Sequence, residues 1–228
     1  MEIKRMFITG DIHGDIQRLI YFIQRMELGE TDGITILGDA GLFWRKDKKD
    51  LETNIFNWEH TCNGVHLFFL DGNHENFKLL NQIPIDENNM GIVSNHIHYL
   101  RRGCIYNFIG KKILVCGGAD SIDKMRRVEG LTWWKEEAIT QEDIDRVPAG
   151  HYDYVFTHCC PKTVFIDNMV YLVTLTGIDQ NKVDHTSEEM LDKLKDKITF
   201  NKWYFGHYHI DKELEGNFRC VLNDYIEI

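Results

Sequence analysis

Eight side chains of metal-binding or proton-carrying type fall in five short blocks along this chain: Asp11 with His13, Asp39, Asn73 with His74, His158, and His207 with His209. Carboxylate oxygens, an amide oxygen and imidazole nitrogens suit borderline divalent ions such as manganese, iron or zinc, and no thiolate is among them. With His74 set aside, seven ligand-type groups remain, too many for one tetrahedral zinc. They fit two ions sharing one bridging carboxylate. Residues at i and i+2 of an extended segment point the same way, so Asp11 with His13, and His207 with His209, are each expected to aim two groups into one pocket. Each block alone says little, because Gly-Asp after a strand is common turn chemistry. Their joint order carries the weight.

Those blocks need elements to hold them. Residues 4–9 read as a strand ending at Gly10-Asp11, and 15–27 carry apolar residues at helical spacing. Residues 34–37 form a second apolar run ending at Gly38-Asp39, 48–60 a helix with Leu51, Ile55 and Trp58 on one face, and 65–70 a third strand ending at Gly72-Asn73-His74. Strand, polar turn and helix in repetition imply parallel strands with crossover helices, whose ligand crevice lies off the carboxyl ends of the strands. Further on, 98–100, 104–109 and 112–116 read as short strands, the last two joined at Gly110-Lys111. Residues 119–137 look irregular, 140–147 helical, and 154–157 a strand stopping at His158. Residues 161–186 read as loop with some strand. Thr186 to Glu189 has capping-box form ahead of a helix, 202–205 is a strand ending at Gly206-His207, and 218–228 a final strand or hairpin. No linker or internal repeat interrupts the chain, so a single domain over 1–228 is expected.

Asp11-Ile12-His13-Gly14, Gly38-Asp39, Gly72-Asn73-His74-Glu75, His158 and Gly206-His207-Tyr208-His209 together resemble the calcineurin-like metallophosphoesterase signature, most nearly that of its small phage and bacterial members. The resemblance implies an α/β four-layer α-β-β-α sandwich of two mixed sheets, with a dinuclear metal site at the strand edge. It assigns Asp11, His13, Asp39 and His209 to one ion, and Asp39, Asn73, His158 and His207 to the other. Asp39 is then the bridge and His74 a catalytic non-ligand able to protonate a leaving group. Hydrolysis by a hydroxide held between two divalent ions follows, manganese being expected first and iron or zinc also fitting.

Protein phosphatases of this superfamily carry arginines where this chain has Leu42-Phe43 and Asp71. That departure favours a phosphodiesterase over a phosphomonoesterase, and the retained donors disfavour a non-catalytic scaffold on the same fold. Lys124, Arg126 and Arg127 lie in the irregular segment and are candidates to contact a substrate phosphate. Trp133 and Trp134 read as core aromatics of the second sheet, with stacking on a base or ring as the alternative. The other six histidines, at 60, 66, 96, 98, 151 and 185, read as structural or surface residues.

The 228 residues are 43% hydrophobic and carry a formal net charge of −10. This acidity argues against an extended duplex-binding face and against an anionic membrane partner. A small phosphoester, including a nucleotide or a single-stranded or short nucleic acid, remains compatible, because two divalent ions make one pocket locally positive. No apolar run approaches the ~18 residues of a membrane span. Six cysteines without a CxxC pair suggest free thiols in a reducing cytoplasm. Oligomeric state is not legible in the sequence.

Overall fold

The computed structural model describes residues 2–44, 48–164, 166, 173 and 177–228. The first sheet is built from β1 (Arg5–Thr9), β2 (Asp32–Ile36), β3 (His66–Phe69), β4 (Met90–Ile92) and β5 (Ile97–Leu100). β1, β2, β3 and β5 run parallel, joined after β1 by α1 (Ile16–Arg25) and after β2 by α2 (Lys48–Thr61), with a short α3 (Phe77–Leu80) following β3. The second sheet holds β6 (Cys104–Phe108), β7 (Lys111–Cys116), β8 (His151–Thr157), β9 (Thr199–Phe205), β10 (Lys212–Leu214) and β11 (Phe218–Cys220). Among the described residues its α-helices of known extent are α4 (Gln141–Asp145) and α5 (Thr186–Lys197). β12 (Ile226–Glu227) returns to the first sheet, whose order is β12-β1-β2-β3-β5-β4, and the second runs β10-β11-β9-β8-β7-β6. Each sheet therefore has four parallel strands between antiparallel edges.

The strands are almost continuously apolar because both faces are covered. In β1, Met6 and Ile8 join the core between the sheets while Phe7 joins the helix-side core of the first sheet. In β7, Ile113 and Val115 face between the sheets, and Leu114 and Cys116 face the helices of the second. The result is the expected four-layer sandwich.

Several local expectations change. The β6–β7 hairpin turns at Ile109-Gly110, one residue earlier than predicted, since Phe108 pairs with Lys111 and both turn residues have positive φ (51° and 72°). The capping box expected at Thr186 does not form: His185 occupies the N-cap, Thr186 bonds to Asp184, and Asp120 accepts from the Ser187 backbone N–H at 2.6 Å. A capping box is instead found at α4, between Thr140 and Asp143. The end of the chain is no hairpin, because β11 and β12 belong to different sheets. The expectation for 161–186 falls partly outside the described residues; within them, Gln180–Lys182 is a 3₁₀ turn.

At the amino ends of β3 and β5, His98 is 5% exposed, with Nε2 3.2 Å from His66 Nδ1 and its ring against Phe68. Burial, aided by His66 and His96 and opposed by Asp86 and Glu59, pushes its pKa down to about 4. The unfolded chain then takes up a proton between pH ~6.5 and 4 that the folded chain refuses, so this contribution is intact above pH ~6.5 and is lost as pH falls towards 4. Unfolding free energies from urea titrations between pH 7 and 4 should fall less steeply in His98→Gln, by about 1–3 kcal/mol over the window. Parallel curves for the two proteins would refute the assignment.

Candidate metal centre

All five blocks lie at or just beyond the carboxyl ends of parallel strands. Asp11 and His13 follow β1, Asp39 follows β2, and Asn73 and His74 follow β3. His158 follows β8, and His207 with His209 follow β9, so both sheets contribute. The i, i+2 pairs do not converge by strand alternation as expected. His13, Asp39, His207 and His209 instead adopt left-handed conformations, with φ of 47°, 48°, 67° and 52°. Such values are unfavourable for residues with a Cβ and mark backbone held by its surroundings, as at many functional sites. Tight turns aim these side chains.

Close backbone approach completes the convergence. Gly38 has φ 91°, and a Cβ there would meet His158 Nδ1 at 2.1 Å. A Cβ on Gly72 would meet Asp39 Oδ1 at the same distance. Glycine is required at both positions so that loops from neighbouring strands can interlock.

Asp11 Oδ1 accepts from the His207 N–H at 2.9 Å, and Asp39 Oδ1 accepts from the His74 N–H at 3.0 Å. These bonds turn the second oxygen of each carboxylate inward. Asp39 Oδ2 lies 3.5 Å from His158 Nε2, 3.8 Å from His74 Nε2 and 4.0 Å from His13 Nδ1. Asp11 Oδ2 lies 3.4 Å from His209 Nε2, and the Nε2 atoms of His13 and His209 are 3.2 Å apart. His158 directs Nδ1 at the Leu37 carbonyl, 2.7 Å away, leaving Nε2 for the centre, where Asn73 Oδ1 lies 3.2 Å from it. His207 packs edge-on to His158, with ring centroids 4.9 Å apart.

Two donor groups, Asp11–His13–His209 and Asp11–Asp39–His158, each have ligand atoms within 4.8 Å of one another. Asp11 Oδ2 and His13 Nδ1 are buried without a hydrogen-bond partner, a costly condition that a cation would relieve. Burial disfavours charge on His158, yet Asp39 and Asp11 push its pKa up to about 10. Burial likewise opposes ionisation of Asp39, and His158 and His74 nevertheless hold its carboxyl well below the usual range. Two buried carboxylates thus face the centre, compensated only in part by the His158 imidazolium. The donor set fits divalent ions.

The remaining sequence candidates divide. Arg127 reaches the centre: its guanidinium donates to His74 Nδ1 at 3.1 Å and its Nε lies 2.7 Å from Asp123. A guanidinium only donates, so Nδ1 accepts and neutral His74 carries its proton on Nε2, the nitrogen facing Asp39. Lys124 is ion-paired with Asp184, and Arg126 is exposed on the same turn. Trp134 belongs to the helix-side core of the first sheet, not the second, while Trp133 donates to Glu137. Asp71 is buried, taking hydrogen bonds from Tyr99 at 2.9 Å and Arg102 at 2.7 Å. Arg102 in turn holds the carbonyls of Glu137 and Ala138.

Sequence reasoning missed three neighbours of the site. Trp44 packs against His74 and His13, with centroids 5.0 and 5.7 Å away. Ser121 bonds the Asn73 amide, and Glu137 bonds Ser121. A tryptophan just after the Gly38-Asp39 block was a readable sign, but nothing in sequence distinguished Ser121 or Glu137.

A two-sheet sandwich bearing oxygen and imidazole donors at its carboxyl edge has the geometry of a metal centre, and a family match places it among metal-dependent hydrolases of phosphoesters. A family model for calcineurin-like phosphoesterases matches residues 4–211, and the chain belongs to that family. No curated protein matches the chain in sequence. Among the described residues, no helix is long and apolar enough to cross a membrane.

Proposed function

We propose that this protein is a phosphodiesterase acting on a nucleotide or short nucleic acid with two divalent ions, manganese first among them. The observation that carries the reading is the pair of donor groups, one of them wholly buried, that meet at Asp11, whose Oδ2 is buried without a hydrogen-bond partner. One ion would take Asp11, His13, Asp39 and His209; the other would take Asp39, Asn73, His158 and His207. Asp39 suits the bridge because its Oδ2 faces both His158 and His13. When bound, the ions supply Lewis acidity and lower the pKa of water, which provides a nucleophile near neutral pH. His74 holds a proton on Nε2 for the leaving oxygen, and Arg127 keeps it there by occupying Nδ1.

Preference for a diester is supported by what stands where phosphatases place arginines. Leu42 and Phe43 are buried in the helix-side core, and Asp71 is locked to Arg102. Of the three basic candidates, Arg127, beside His74, is the one we expect to meet a phosphate oxygen, while Lys124 is engaged by Asp184. One cation beside two metals suits the lower charge of a diester. We read residues 1–228 as one domain, supported by the return of β12 to β1, and a cytoplasmic setting, supported by six unpaired cysteines.

With manganese, bis(p-nitrophenyl) phosphate should be hydrolysed with kcat/KM at least about tenfold above that of the monoester, and Arg127→Ala should lower kcat/KM for the diester by about 10–100-fold. Faster turnover of the monoester would replace this reading with a phosphomonoesterase.

A further inference from the structure

Asn73 is the amide of the donor set, and only one end of that amide can bind a cation. A half-turn about its last bond would exchange Oδ1 for an NH₂ group that repels metal. Something must therefore fix which end faces inward. Asn73 Nδ2 donates to Ser121 Oγ at 3.0 Å, which leaves Oδ1 on the side of His158. A hydroxyl can donate as well as accept, so the direction of this bond depends on where the Ser121 proton goes. It goes to Glu137 Oε2, 2.9 Å away.

Glu137 is 1% exposed, and its other oxygen accepts from the Ser121 backbone N–H at 2.7 Å and from Trp133 Nε1 at 2.6 Å. Backbone and indole N–H groups can only donate. Burial pushes the Glu137 pKa up to about 7, and above that pH the carboxylate, surrounded by donors, commits the Ser121 hydroxyl to donate towards it. The lone pairs of Ser121 are left for Asn73. Every polar atom of the relay has a partner, as a buried network requires.

We propose that Glu137 is a positioning residue that acts through Ser121 to set the amide of Asn73, presenting Oδ1 to the metal centre. The inference rests on the metal-centre reading above and gives the irregular segment 119–137 a function: it delivers both Ser121 and Glu137 to the back of one ligand.

Glu137→Gln separates positioning from packing, because it preserves shape. The Gln oxygen can keep accepting from Ser121 N–H and Trp133, which places its NH₂ against Ser121 Oγ. Ser121 must then donate towards Asn73, and Oδ1 is drawn away from the centre. Manganese titration of the whole protein should show one of two ions weakened by about 10–100-fold, the usual cost of losing a partner behind a ligand. The other ion and the melting temperature of the metal-free protein should be unchanged. In an Asn73→Asp background, where either oxygen can bind, Glu137→Gln should weaken the same ion by less than about threefold. Equal weakening in both backgrounds, or none in the parent, would overturn the proposal. If Glu137→Gln does not fold, Ser121→Ala removes a single oxygen and bears the same comparison in both backgrounds. Asp39→Asn is the control for the underlying reading: if it binds manganese like the parent, the metal centre itself is misassigned, whereas loss there with a normal Glu137→Gln overturns the relay alone.

Discussion

Asp39→Asn should fold, lose manganese and hydrolyse bis(p-nitrophenyl) phosphate about 10³-fold or more slowly, since metal contributes several kcal/mol of transition-state stabilisation. The substitution preserves the shape of the side chain. Asn Oδ1 can still accept from the His74 N–H, the bond that Asp39 Oδ1 makes at 3.0 Å. What changes is the inward atom. An NH₂ replaces the anionic oxygen that lies 3.5 Å from His158 and 4.0 Å from His13. That atom is the one proposed to serve both ions, so its loss should empty both positions rather than one. Elemental analysis after reconstitution and steady-state kinetics read the two effects separately. Retention of two ions per chain, or of more than about a tenth of the parent kcat/KM, would remove Asp39 from the bridge.

The second large effect is on stability. Asp11 and Asp39 are each 2% exposed and belong with His158 to one tight donor group, in which burial opposes ionisation of both carboxyls and His158 favours it. Asp11 Oδ2 and His13 Nδ1 are nonetheless left buried without a hydrogen-bond partner, a cost to the folded protein that bound cations would relieve. A site filled at a hundred times its Kd adds about 2.7 kcal/mol, and for a chain of this size each kcal/mol moves Tm by roughly 2–4 °C. Manganese at that excess should raise Tm over the EDTA-treated protein by roughly 5–10 °C per site, and the shift should vanish in Asp39→Asn. A shift below about 2 °C in the parent would mean that these carboxylates bind no ion in the folded state.

The sequence was most legible where chemistry and strand ends coincide. Gly-Asp after an apolar run placed Asp11 and Asp39 correctly at the carboxyl ends of β1 and β2, because a buried parallel strand must be apolar and its exit must be polar. What escaped was how those residues turn. The left-handed backbone at His13, His207 and His209 is imposed by loops from other strands, and no local propensity announces it. Short edge strands such as β4 and β10 were also missed, since three residues carry too little periodicity. Ser121 and Glu137 lay in a segment without pattern; their partnership with Asn73 spans 48 residues of chain and exists only in the folded molecule.

The division of donors between two sheets bears on when an ion can be held. Asp11, His13, Asp39 and Asn73 stand on the first sheet, and His158, His207 and His209 on the second. The first sheet is completed by β12, which pairs with β1 from the far end of the sequence. Contacts so remote in the chain are costly to close and slow the folding that depends on them. The complete donor set exists only once both sheets have docked, a step we expect on the native side of the folding barrier. An interaction gained there leaves the rate of folding unchanged and acts wholly on the rate of escape. An ion at this seam is a latch: it does not help the chain find its fold, and it slows the chain in leaving it.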